Sequence, residues 1–209
     1  DTVIKSGVRE KILPLPGYRE PMPMVYALIF PENQDEYEQL RDALQKLKLN
    51  DAALAFEPET GLTSLGRGFR TGFLGMLHME IVSSRLSREY ELSLVFSNPS
   101  VAFHVYLIAK PGQSGTGEYA TVYSAMKMPD RHEIARVEEP WVRGEIVAPA
   151  RFLGALTTLI HERTGMIRDT SPLAGERVLV RFDAPLREII VDFHDVLKSV
   201  SSGFASFSY

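Results

Sequence analysis

Residues 46–82 read KLKLNDAALAFEPETGLTSLGRGFRTGFLGMLHMEIV, and the order of turn, strand and helix signals in this stretch decides the fold. Asn50 and Asp51 close one helical pattern, and residues 53–56 have strand composition. Pro58 predicts the end of that strand, because proline lacks the donor a ladder requires. Gly66, Gly68 and Gly72 then punctuate a second strand and open a helix. The stretch carries no catalytic grouping.

Upstream, Tyr37, Leu40, Leu44 and Leu47 fall on one face of a helix expected over residues 34–49, with Asn33 as its cap. Residues 24–30 form a buried-strand candidate. Residues 1–23 hold Pro14, Pro16, Pro21 and Pro23 and read as a linker or the end of a preceding domain. Downstream, a helix over residues 73–90 is expected to bury Leu74, Leu77, Ile81 and Leu86, and residues 92–96 and 101–108 supply strands. The order is strand, helix, strand, strand, helix, strand.

Residues 109–139 interrupt it with KPGQSGTGEY, a Pro129-Asp130 turn and a charged run, which reads as a connector of weak local structure. From Pro140 the same order begins again. Strands are expected over residues 142–148, 165–173, 176–183 and 204–209, and helices over 150–164 and 186–200. Phe152, Leu156, Leu159 and Ile160 give the first of these helices its apolar face; Ile189, Ile190, Phe193 and Leu197 serve the second, and Gly203 stops it. Two copies of one split βαβ plan predict an α+β chain of two ferredoxin-like sandwiches, over residues 24–108 and 140–209.

The formal charge of −4 provides no global basic field for nucleic acid, so an RNA contact has to be local, through a few arginines. Without cysteines, a disulfide framework, a thiolate metal site and a cysteine nucleophile are excluded. No run reaches the roughly 20 apolar residues of a bilayer span, and DTVIKSGVRE is too polar for a signal peptide. A cytoplasmic setting fits this composition.

A phosphate loop needs a Gly-Lys pair, and none occurs. Gly66, Gly68 and Gly72 miss dinucleotide-binding spacing by one position, so turns and close packing explain them better. No histidine makes the HExxH spacing of a zinc helix, no GxSxG elbow is present, and His78 with Glu80 diverge on a helix. Catalytic, cofactor and metal residues are therefore not assigned. The candidates left are basic: Arg67 and Arg70 on the strand before a helix, Arg151, Arg163 and Arg168 around the first helix of the second unit, and Lys198 near the end of its other helix. Each is a candidate RNA or inter-domain contact; the alternative for Arg67 and Arg70 is a salt bridge to Glu57 or Glu59 across the hairpin, and for Arg151, Arg163, Arg168 and Lys198 a solvated face that complements the helix dipole.

The words LNDA, FEPE, GFR and GFLG-LHMEI, with LRDALQKLKLNDA, Leu15-Pro16-Gly17-Tyr18 and LKSVSSGFASFSY, resemble the elongation factor 4 (LepA) family of translational GTPases along nearly the whole chain. The resemblance implies that residues 24–108 are similar to the third domain of elongation factor G and residues 140–209 to its fifth. It further implies ribosomal RNA and ribosomal proteins as partners, with the family's GTPase and barrel domains, and no DNA. GTP and Mg²⁺ would belong to a GTPase domain outside this stretch. The family's reported movement between cytoplasm and membrane adds the inner face of the plasma membrane as a peripheral location. Action on elongating or stalled ribosomes, in reverse translocation or subunit maturation, is the implied role. Two departures stand out: family members usually carry a cysteine where Thr71 stands, and a shorter, more acidic connector. A pair of ferredoxin-like domains that binds a regulatory small molecule is the alternative that fold alone leaves open.

Overall fold

The computed structural model describes residues 21–59, 66–108, 119–124 and 127–209. Most of the expected linker, Gly61 and Ser64 of the hairpin loop, and the glycine-rich start of the connector lie outside the described residues. Elements of the first sandwich are β1 (Val25–Pro31), α1 (Tyr37–Asn50), β2 (Ala55–Glu59), β3 (Gly68–Phe73), α2 (Met76–Tyr90) and β4 (Leu94–Phe96). Its sheet order is β2-β3-β1-β4, and neighbouring strands are antiparallel from Val25 opposite Phe73 to Pro31 opposite Leu94. This permuted order is what a split βαβ plan produces when the third strand inserts between the first and second.

Alternation along β1 and β3 explains the layers. Ala27, Ile29, Phe69 and Phe73 point toward the helices and pack with Leu40, Leu44, Leu47, Leu86 and Leu92 in one buried cluster. A short helical turn, Gln34–Glu36, precedes α1, and Asn33 accepts a hydrogen bond from the Asp35 backbone N–H as a cap should. Gly68 presses against the Phe30 ring and the Ile29 carbonyl, where a side chain would have no room.

Pro58 does not end its strand. It lies within β2 opposite Phe69, and the ladder tolerates it because β2 is the sheet's edge and one side of its backbone needs no partner. The expected stripe on α2 is also displaced. Leu77 is 70% exposed and Leu74 and Ile81 lie near half exposure, whereas Val82 and Leu86 are buried with Met79 and Tyr90 packed beside them. The phase is set at the helix start, where His78 Nδ1 accepts the Leu74 N–H at 3.0 Å and Nε2 meets Asp51 Oδ2 at 2.8 Å. That anchor turns the 79-82-86-90 face inward and leaves the 74-77-81 face outward.

The expected connector contains structure. β5 (Phe103–Leu107), β6 (Tyr119–Val122) and β7 (Ile134–Glu138) form a separate three-stranded sheet ordered β6-β5-β7. β5 therefore leaves the first sandwich. Ala135 through Glu138 of β7 are all exposed, so its apolar pair, Ala135 and Val137, is left uncovered and the stretch reads as part of a charged run.

The second sandwich holds β8 (Trp141–Pro149), α3 (Leu153–Glu162), β9 (Met166–Leu173), β10 (Arg177–Pro185), α4 (Leu186–Ile190), α5 (Phe193–Val200) and β11 (Ser206–Ser208). Its order, β11-β8-β10-β9, repeats that of the first sheet. Ile146, Val180, Phe182, Leu156, Ile160, Phe193 and Leu197 fill the core. The single helix expected over 186–200 divides at Val191 and Asp192. The division lets one segment serve two cores: Ile189, Phe193 and Leu197 face the sandwich, while Leu186 and Ile190 pack with Val25 and Val101 in a cluster that joins the two units. Met76, Phe103 and Val142 border that joint.

Candidate functional site

The six basic candidates sort by their partners. Arg70 sits opposite Glu57 across the β2–β3 ladder and binds it at 2.6 Å, with Glu59 at 3.9 Å and the Tyr123 ring 4.4 Å away. Lys127 also reaches Glu59, so Tyr123 and Lys127 both lie over the outer face of the first sheet. Burial first, and then neighbouring Tyr123, raise the Tyr26 hydroxyl above its ordinary value in the same cluster. Arg67 lies 3.8 Å above the Tyr37 ring, with Glu38 at 4.0 Å.

In the second unit, Arg163 at the end of α3 binds Asp192 at 2.7 Å and approaches Glu188 at 4.0 Å. It thereby clamps the break between α4 and α5. Arg168 binds Asp183 at 2.8 Å, and Arg143 approaches the same carboxylate at 3.4 Å. The Arg168 hydrogen bond, with Arg143 assisting, holds the Asp183 carboxyl below its ordinary value. Lys198 has Asp195 at 3.6 Å, one turn back on an exposed helix face.

Arg151 differs from the other five. It has no carboxylate partner among the described residues; its guanidinium lies 4.9 Å from the Phe152 ring centre and 5.4 Å from that of Phe204. The two rings are themselves stacked, 6.3 Å apart and 19° from parallel. Several chain segments bring neighbours to this end of the sandwich. The Ala150 N–H donates to the Glu176 carbonyl at 2.8 Å, Arg177 pairs with Pro149 in the ladder, and the Gly203 N–H donates to the Lys198 carbonyl at 2.8 Å. Arg151, Arg177, Lys198 and Phe204 consequently share one end of the molecule, and Arg177 too lacks a carboxylate partner among the described residues.

Phe204 and Arg177 were not singled out from sequence. A signal existed for Phe204: strand parity counted back from Phe207 places Ala205 and Tyr209 with it and Phe204 against it, so an inward Phe207 implies an outward Phe204. Parity carries the same signal for Arg177, because Val178, Val180 and Phe182 point inward along β10 and leave Arg177 outward.

Other chemistry finds no focus. His78 is satisfied by Leu74 and Asp51, and among the described residues no group of three or more His, Asp or Glu side chains is arranged to hold a metal ion. A groove of about 1270 Å³ runs beside residues 21–23 and the end of α1, but Asp42, Gln45, Lys46, Lys48 and Asn50 line it beside Met22 and Leu49. No helix among the described residues is long and apolar enough to cross a membrane.

Comparison with known proteins agrees with the two repeated sheets. Residues 136–209 match the family described as elongation factor G C-terminus. The chain is 45% identical over all of its 209 residues to elongation factor 4 of Sorangium cellulosum, covering 33% of that protein. It is likewise 45% identical over its full length to elongation factor 4 of Clostridium novyi, and 44% identical over 94% of its length to that of Sulfurimonas denitrificans. The chain spans about a third of the length of these curated relatives. Identity sustained from end to end, through both sandwiches and the sheet between them, shows that the chain belongs to the elongation factor 4 family.

Proposed function

We propose that this part of the factor works as a ribosome-contacting module, with ribosomal RNA and ribosomal proteins as its partners and elongating or stalled ribosomes as its setting. GTP hydrolysis, with GTP and Mg²⁺, belongs to regions of the full-length protein outside this stretch, and the setting is cytoplasmic. The observation that carries the proposal is Arg151, a guanidinium stacked on exposed aromatic carbon and free of the carboxylates that occupy the other five candidates. An arginine left in that state is prepared for an anion from outside, and phosphate is the anion a ribosome presents in quantity.

Arg70 and Arg163 serve the fold in this proposal, and Arg151 with Lys198 serves the contact. Each phosphate neutralised releases counterions, so binding weakens with salt by a slope of about 0.7 to 0.9 per contact. Co-sedimentation of the chain with ribosomes over a salt series is the test. Arg151→Ala combined with Lys198→Ala should weaken binding and flatten the salt slope by roughly 1.5. Unchanged affinity and slope would overturn the assignment.

A further inference from the structure

We propose that the end of the second sandwich holds an unpaired RNA nucleotide, with its base stacked on the outer face of Phe204 and its flanking phosphates on Arg151, Arg177 and Lys198. This rests on the ribosome-contact reading above and adds the partner's chemistry.

Phe204 is 54% exposed although the sandwich core lies directly beneath it. Its position is built. Ser202 and Gly203 both adopt left-handed backbone, at φ 52° and 78°. For a serine that conformation is strained and persists only where surrounding bonds impose it. Those bonds are present: the Phe204 N–H donates to the Ser201 carbonyl at 3.0 Å, the Ser201 hydroxyl donates to the Leu197 carbonyl at 2.7 Å, and the same oxygen accepts the Ala205 N–H at 3.2 Å. Phe152 stacks against the ring and Arg151 lies over it, which leaves the base the remaining outer face. The result is an aromatic ring turned outward with Arg151 over it, at the end of the sandwich that also carries Arg177 and Lys198.

Three occupants have the right polarity, and the geometry separates them. A bilayer surface requires more apolar carbon than this end shows, where only Phe204 and Leu173 are large exposed hydrophobics. Double-stranded RNA offers phosphates but no free base face, so Phe204 would gain nothing from it. An unpaired nucleotide satisfies both halves, because aromatic stacking is sequence-tolerant and phosphates lie on either side of the base.

The experiment compares Phe204→Leu, which keeps apolar bulk but removes the π face, with Phe204→Tyr, which keeps the ring. Ribosome co-sedimentation and fluorescence anisotropy with a single-stranded RNA decamer, the same sequence as duplex, and phosphatidylserine vesicles are the readouts. Thermal unfolding of each variant confirms the fold. Expected are preference for the single strand over the duplex, a loss of about tenfold or more for Phe204→Leu, and near-wild-type binding for Phe204→Tyr. Equal binding by Phe204→Leu, preference for duplex, or binding to vesicles in place of RNA overturns the proposal. Ribosome binding that Arg151→Ala weakens and Phe204→Leu does not would refute the stacking and spare the ribosome-contact reading. If the wild-type chain fails to sediment with ribosomes, that reading fails and this inference falls with it.

Discussion

Thr71 lies fully buried in β3 with its hydroxyl oxygen unpartnered. A hydroxyl removed from water without a hydrogen bond costs free energy that a methyl of the same size does not. Thr71→Val should therefore raise stability by about 1 kcal/mol, read as a higher urea midpoint with unchanged slope. The cysteine that the family resemblance places here fits the same logic, since a buried thiol behaves as a small hydrophobe. At this scale, legibility followed from strand parity. Parity sends Arg67 and Arg70 to opposite faces with Glu57 or Glu59 across the hairpin, and it is Arg70 that lies opposite Glu57 and pairs with it. It could not foretell that Arg151 would be left without a carboxylate, because the partners of Arg163 and Arg168 come from elements distant in sequence.

Among the elements, α2 separates what a hydrophobic pattern can and cannot tell. Residues 74, 77, 81 and 86 all fit a helical stripe, yet Leu86 alone of the four is buried. Two overlapping stripes existed in the sequence, and the one packed on the sheet, Met79, Val82, Leu86 and Tyr90, is accompanied by a hydrogen bond between His78 and Asp51 that periodicity does not show. Leu86→Ala should cost about 2–5 kcal/mol, whereas Leu77→Ser should stay within about 0.5 kcal/mol, both measured by urea unfolding. Strands β8, β9 and β10 make a different prediction through charge. Asp183 is held below the ordinary 3.8 by Arg168, and Asp169 is lowered first by the Ser171 hydroxyl. Carboxyls depressed in the folded state add stability that is complete above their unfolded value and lost as pH falls through the folded one. Stability should thus decline below about pH 4, and Asp183→Asn should make that decline shallower in a pH series of urea midpoints.

Over the whole molecule, the strand order recurs, β2-β3-β1-β4 and then β11-β8-β10-β9, and the repeated strand-helix spacing made that order readable in advance. The sheet between the sandwiches was not readable, because β7 is short and its apolar pair, Ala135 and Val137, lies exposed beside Arg136 and Glu138 in a charged run. Nor was the joint, since Val25, Val101, Leu186 and Ile190 look like any other core residues until the break after α4 turns two of them outward from their own sandwich. This arrangement leaves Arg151, Arg177, Lys198 and Phe204 at one end of the second sandwich, the surface we propose for ribosome contact. Because the chain has no cysteine, one can be introduced at exposed Ser199 to carry an iron chelate that cleaves nearby RNA. With the probe at Ser199, ribosomal RNA should be cut at discrete positions, and the cuts should fade when Arg151→Ala and Arg177→Ala are added. Cleavage no stronger than from a probe at Ser87, on the outer face of α2, would contradict the assignment of this end as the ribosome contact.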